Sequence, residues 1–110
     1  MRLAVPTKGS RGMRDVVSDV FARAATFTII DVVDGKVEEV RVEENAASGL
    51  EQGAGPVVAR TLKEGGIDAV IAGELGPGAT TLLEMGGIKV VRVSPGLRIS
   101  KAVEKALKEL

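Results

Sequence analysis

Short runs of β-branched and aliphatic residues alternate along the chain with segments whose apolar positions recur every three or four residues. The first run, residues 2–6 (RLAVP), predicts a buried strand, and TKGSRGMR after it predicts a basic loop, because glycines and polar residues break both periodicities. From Ala25 to Val33 the sequence ATFTIIDVV is β-branched and aromatic. Asp34-Gly35 then supplies two residues that tolerate positive φ, and KVEEVRVE resumes the strand pattern, which predicts a hairpin. Val40 and Val42 share one face against Glu39, Arg41 and Glu43, the pattern of an edge strand solvated on one side.

Beyond the loop NAASGLEQGAG, Pro56 suits a first helical turn, where its missing N–H costs nothing, and Ala54, Val58 and Leu62 follow at helical spacing. A helix over 54–64 is expected, closed by Gly65-Gly66. A related unit then occurs twice, in GGIDAVIAGELGPGATTLLEM and GGIKVVRVSPGLRISKAVEKAL: Gly-Gly-Ile, a valine-rich strand, a Pro-Gly loop and a helix. Repeated strand-helix units imply parallel strands joined by right-handed crossovers. In the last helix Ile99, Val103, Ala106 and Leu110 form one apolar stripe. The elements predict a single α/β domain over residues 1–110. Its expected form is a ribonuclease H-like three-layer fold, with a mixed five-stranded sheet in the order 3-2-1-4-5 and about three helices.

Composition narrows the chemistry. Fifteen basic and fifteen acidic residues cancel, which argues against a dedicated nucleic-acid binder. The chain has no cysteine and no histidine, so disulfides, thiolate-held clusters, cysteine nucleophiles and histidine bases are all excluded within it. No apolar run approaches the roughly 20 residues that span a bilayer, and no signal-peptide core follows Met1; a cytoplasmic protein without membrane contact is expected.

If the first, fourth and fifth strands are parallel, their C-terminal ends bring TKGSRGMR, GELGPG and SPGLR to one edge, where open α/β sheets tend to bind ligands. Lys8, Arg11, Arg14 and Arg98 supply positive charge there, and Gly76 and Gly78 let main-chain N–H groups approach a ligand at a helix N-terminus. Capture of an anion is the chemistry suggested. GELGPGATT lacks the lysine of a P-loop and the spacing of a dinucleotide fingerprint. A ribonuclease H-type metal site would need several carboxylates near strand ends, yet the first strand holds none. Asp31 and Glu74 are the acids that could approach one another, with Asp31 expected to be paired or edge-exposed. Met85 is expected to pack in the core, whereas Met13 sits in the basic loop without a core argument.

The segment SDVFARAATFTIIDVVDGKVEEV resembles the dinitrogenase iron-molybdenum cofactor-binding family. Members of that family carry Ser-x-x-Phe-Gly-Arg-Ala-x-x-Phe before such a hairpin, and Ser18, Phe21, Arg23, Ala24 and Phe27 fit that spacing. Asn45, Ala47, Gly53, Ala54, Gly55, Gly66, Asp68, Gly76 and Pro77 match the motifs that follow, so the resemblance covers nearly the whole chain. It implies a ribonuclease H-like fold without nuclease chemistry and a non-catalytic role in binding or carrying the iron-molybdenum cofactor or an iron-sulfur precursor. It also adds Arg23, Gly53 and Gly55 to the cofactor-binding candidates. The chain departs from the family in having Val20 where many relatives have histidine, and Ala22 where they have glycine. Binding would then run through main-chain amides, basic side chains or a partner's ligands. A small-anion or nucleotide-binding module and a subunit acting through protein contacts are the other readings.

Overall fold

The computed structural model describes residues 1–110. Five strands, β1 (Arg2–Thr7), β2 (Thr26–Val33), β3 (Lys36–Glu44), β4 (Ala69–Ala72) and β5 (Lys89–Arg92), alternate in the latter half with α1 (Ala54–Glu64), α2 (Pro77–Met85) and α3 (Ile99–Glu109). The sheet order is β3-β2-β1-β4-β5, the expected arrangement. β1 is antiparallel to β2, β2 is antiparallel to β3, and β1, β4 and β5 are mutually parallel.

Local chemistry explains the element boundaries. Asp34 and Gly35 both take positive φ, at 53° and 77°, which gives a two-residue turn the right twist for the hairpin. Each of α1 and α2 stops at a Gly-Gly pair whose second glycine is left-handed, Gly66 at 72° and Gly87 at 79°. The repeated units share this closure at the level of single bonds: Ile67 N–H donates to Leu62 O at 3.1 Å, and Ile88 N–H to Leu83 O at 2.9 Å.

β4 is buried along its whole length and β1 from Leu3 onward, because helices cover both faces of the sheet centre. On one side α1 and α2 enclose Phe27, Ile29, Val58, Leu62, Val70 and Leu83. On the other α3 encloses Leu3, Ile30, Ile71, Ile99 and Val103. Each such side chain stabilises the fold by about 1.5–3 kcal/mol on burial. In α3 the stripe buries Ile99, Val103 and Ala106 as expected and adds Ala102, while Leu110 is half-buried. Met85 departs from expectation: it is 78% exposed, because Leu83 alone of α2 is turned fully into the core. Met13, by contrast, packs partly against the α3-side core. No helix is long and apolar enough to cross a membrane.

Candidate functional site

Two successive antiparallel pairings make β3 run with β1, so β1, β3, β4 and β5 all end at one edge of the sheet. Four connections meet there, over residues 8–25, 45–53, 73–76 and 93–98, and all three helices begin there.

The first connection is stitched down. The Thr7 hydroxyl contacts those of Thr26 and Thr28 at 2.6 and 3.2 Å, all three residues being buried, and Thr26 also donates to the Gly9 carbonyl. Asp15 is fully buried; its carboxylate accepts the N–H of Arg11 at 3.0 Å and of Val16 at 2.8 Å, with the Arg11 guanidinium at 3.8 Å. Burial pushes this carboxyl up, but the N–H donors and the Arg11 charge outweigh it and hold Asp15 below the usual carboxylate range. The segment after it crosses to the β5–α3 connection. Ile99 N–H donates to Asp15 O at 2.9 Å, Val17 N–H to Leu97 O at 2.8 Å, and Gly96 N–H to Val17 O at 2.9 Å.

Residues of the Ser-x-x-Phe motif tie down the remainder. Phe21 meets Phe27 edge to face, with centroids 5.6 Å apart. Asn45 Nδ2 donates to Ala22 O and Ala24 O at 2.8 and 2.9 Å, while its Oδ1 accepts Ala47 N–H at 3.0 Å. Arg23 donates to Leu50 O at 3.0 Å and Glu51 O at 2.6 Å, so its guanidinium clamps the 45–53 loop. Gly73 permits another close approach: a Cβ there would lie 2.5 Å from Pro95 Cγ, which locks the β4–α2 and β5–α3 connections together.

On this rigid base the connections expose cations among the acids Asp19, Glu44, Glu51 and Glu74. Arg14 and Arg98 are exposed and carry no ion pair. Arg11 is exposed while touching Asp15, and Lys8 is shared with exposed Asp19 at 3.6 Å. A Cβ added at Gly53, Gly55, Gly76 or Gly78 would meet nothing within 4 Å, so these glycines fill no packing requirement inside the chain. The first-turn N–H groups of Gly55, Gly78 and Ala79 find no acceptor in the protein, and neither α1 nor α2 has a side-chain cap. Unpaired N–H groups at helix starts, with guanidinium groups on the same edge, suit a negatively charged partner. The α3 start differs, since Asp15 already occupies the Ile99 N–H.

All the basic and glycine candidates therefore share one edge, with Arg23 engaged in the loop scaffold. Asp31 and Glu74 do not approach one another: Asp31 is opposite Arg2 at the start of β1, and Glu74 follows the end of β4. No group of three or more acidic, histidine or cysteine side chains is placed to hold a metal ion. Shallow hollows of about 560 and 500 Å³ lie beside β5 and between α1 and α2, and a smaller, more enclosed pocket of about 90 Å³ between β3 and α1 reaches the edge at Asn45, Ala46 and Ala47. Asp15 and the threonine cluster were not singled out by sequence pattern; the one signal was an acid in a loop otherwise basic.

The family model described as dinitrogenase iron-molybdenum cofactor matches residues 1–109. The chain belongs to this family. Among solved structures, the apo form of the orange protein from Desulfovibrio gigas superposes with a TM-score of 0.85 and 33% identity, over 98% of this chain and 88% of that one. A Thermotoga protein described as a candidate NifB superposes with a TM-score of 0.74 and 34% identity, over 98% and 87%. An uncharacterized protein of Methanocaldococcus jannaschii is 27% identical over 94 residues, covering 86% of this chain and 75% of its own length. The motif residues Phe21, Arg23 and Asn45 of this chain act on the loops.

Proposed function

We propose that the chain is a non-catalytic carrier that binds an anionic iron-molybdenum or iron-sulfur cofactor, or its precursor, at the C-terminal edge of the parallel strands. The observation that carries this reading is that unpaired N–H groups at Gly55, Gly78 and Ala79, on the α1–α2 face, and exposed Arg11, Arg14 and Arg98, on the α3 face, flank the same edge of the sheet, in a chain with no thiol or imidazole. Soft metal ions call for thiolate or imidazole ligands, so direct ligation does not fit these residues. Recognition of the cluster's outer charge does fit, by hydrogen bonds from N–H groups and by guanidinium contacts. The cluster is then held as cargo and remains open to ligands from a receiving protein. Family membership supports the cofactor class. The absence of any activated nucleophile or base on the edge supports carriage over catalysis.

The same donors would suit a phosphorylated metabolite, and the test separates the two. Purified protein is mixed anaerobically with isolated iron-molybdenum cofactor and passed through a gel-filtration column. Stoichiometric co-elution, lost in the Arg11→Ala, Arg14→Ala double variant, is expected. Absence of co-elution from folded protein under several redox conditions, together with thermal protection by nucleotides or phosphate, would transfer the site to a small phosphorylated anion.

A further inference from the structure

The two lateral edges of the sheet are both unpaired but differ in kind. β3 is blunted: six of its nine residues are charged, and Glu38 is extruded where the register shifts between Asp31 and Val32. β5 has no irregularity against β4 and holds Val90 and Val91 between Lys89 and Arg92, with Val93 following. Lys89 N–H donates to Asp68 O and Val93 N–H to Ala72 O, each at 3.0 Å. Main-chain groups alternate along a strand, so Val90 and Arg92 direct their N–H and C=O groups to the free side. A groove of about 560 Å³ opens on that side, its floor including Ile88 and Val90 and its walls including Glu84 and Glu109.

We propose that β5 is a self-association edge, where a second copy of this chain pairs antiparallel with Val90 opposite its symmetry mate to give one ten-stranded sheet. The occupant follows from charge and register. A two-fold axis perpendicular to the sheet opposes only residues that share a face. Centring the pair on Lys89 or Arg92 would oppose like charges, whereas centring it on Val90 places the partner's Arg92 across from Ile88. Ile88, Val90 and Arg92 point to the α2 side of the sheet, since Val90 and Arg92 pair with Val70 and Ala72 of the α1–α2 core. Glu84 lines the groove beside Ile88 on that side. Glu84 and Arg92 are both exposed and neither has an ion-pair partner within the protomer. The symmetric pair thus supplies each with an opposite charge, twice over. At each Ile88–Arg92 pair one main-chain bond forms, from the partner's Arg92 N–H to the free Ile88 carbonyl, while the Ile88 N–H stays with Leu83 O and the partner's Arg92 carbonyl is left to solvent. The two cargo edges would face opposite ways, so this inference stands independently of the proposed ligand.

Sedimentation equilibrium from micromolar to millimolar protein tests it. The wild-type chain should show a concentration-dependent monomer–dimer equilibrium. Glu84→Arg alone and Arg92→Glu alone should each remain monomeric, since each opposes like charges at both contacts. Mixing the two variants should restore association as a heterodimer, in which both contacts are again complementary. Circular dichroism confirms that these surface variants are folded. A wild-type monomer at millimolar concentration, single variants that dimerise like wild type, or a mixture that stays monomeric would each overturn the proposal.

Discussion

At the end of the sheet where β1 begins, Arg2 donates to Asp31 at 2.7 Å and to Gly65 O at 2.8 Å, Arg41 lies 3.7 Å from the same carboxylate, and the Arg2 N–H reaches Asp68 at 2.7 Å. At the end where β1 finishes, Arg14 and Arg98 stand exposed with no ion pair, beside glycines whose missing Cβ atoms relieve no contact. Arginines at the first end hold strands together. Arg14 and Arg98 have nothing in the chain to hold, which separates a structural charge cluster from a recognition surface more clearly than charge count does.

Substitution at the two ends should give opposite phenotypes. Replacing Arg11 and Arg14 by alanine removes two charge-assisted contacts of about 1.5 kcal/mol or more each, so cofactor affinity should fall roughly a hundredfold. Arg2→Ala should leave that affinity unchanged while lowering the melting temperature; isothermal titration and thermal unfolding of both proteins check the contrast.

Asp15 joins the two roles, since it is a structural anion beneath the cationic surface. Asp15→Ala leaves the Arg11 and Val16 N–H groups unmatched and should cost about 1–3 kcal/mol. Its pH dependence has a definite sign. The folded Asp15 carboxyl is held below its unfolded value, so its contribution is fully present above the ordinary carboxylate pKa of about 3.9 and is lost as pH falls through the folded value. Asp31 behaves alike, lowered first by the Arg2 hydrogen bond and further by the Arg2 and Arg41 charges against its desolvation. Urea unfolding across the acid range should therefore show the Asp15→Asn penalty shrinking toward zero as pH drops.

The glycines sharpen the comparison further. Gly73→Ala drives a Cβ into Pro95 and should destabilise by about 1–3 kcal/mol. Gly78→Ala enters open space within a helix and should stabilise by roughly 0.5–1 kcal/mol, yet weaken cofactor binding by blocking close approach to the N–H groups. The smallest effect belongs to Met85→Gln, within about 0.5 kcal/mol by chemical denaturation, because the side chain is mostly in solvent.

Much of this architecture was legible because its determinants are local. Asp34-Gly35, Pro56, Pro77 and the two Gly-Gly stops fix turns and helix ends by backbone preference alone, and their order dictates the parallel strands that gather the basic loops. Illegible features depend on contacts distant in sequence. Asp15 reads as one acid in a polar loop until Val17 meets Leu97 and the loop is drawn onto the α3 start. Arg23 reads as another cation until the 45–53 loop presents its carbonyls. Met85 follows apolar spacing but falls on a helix that spans the sheet rim, where only Leu83 is fully inward. The pattern of candidates at the edge was thus visible, but which cations are free and which are engaged was not.

The most direct test of the central claim is a nitrogen-15 amide spectrum of the protein recorded during anaerobic titration with isolated iron-molybdenum cofactor. Saturable paramagnetic broadening is expected at Lys8 to Arg14, Gly55, Gly76, Gly78, Ala79 and Arg98, with Arg2, Asp31 and Arg41 at the far end unaffected. Uniform weak broadening over the surface, or saturation centred elsewhere, would contradict the claim.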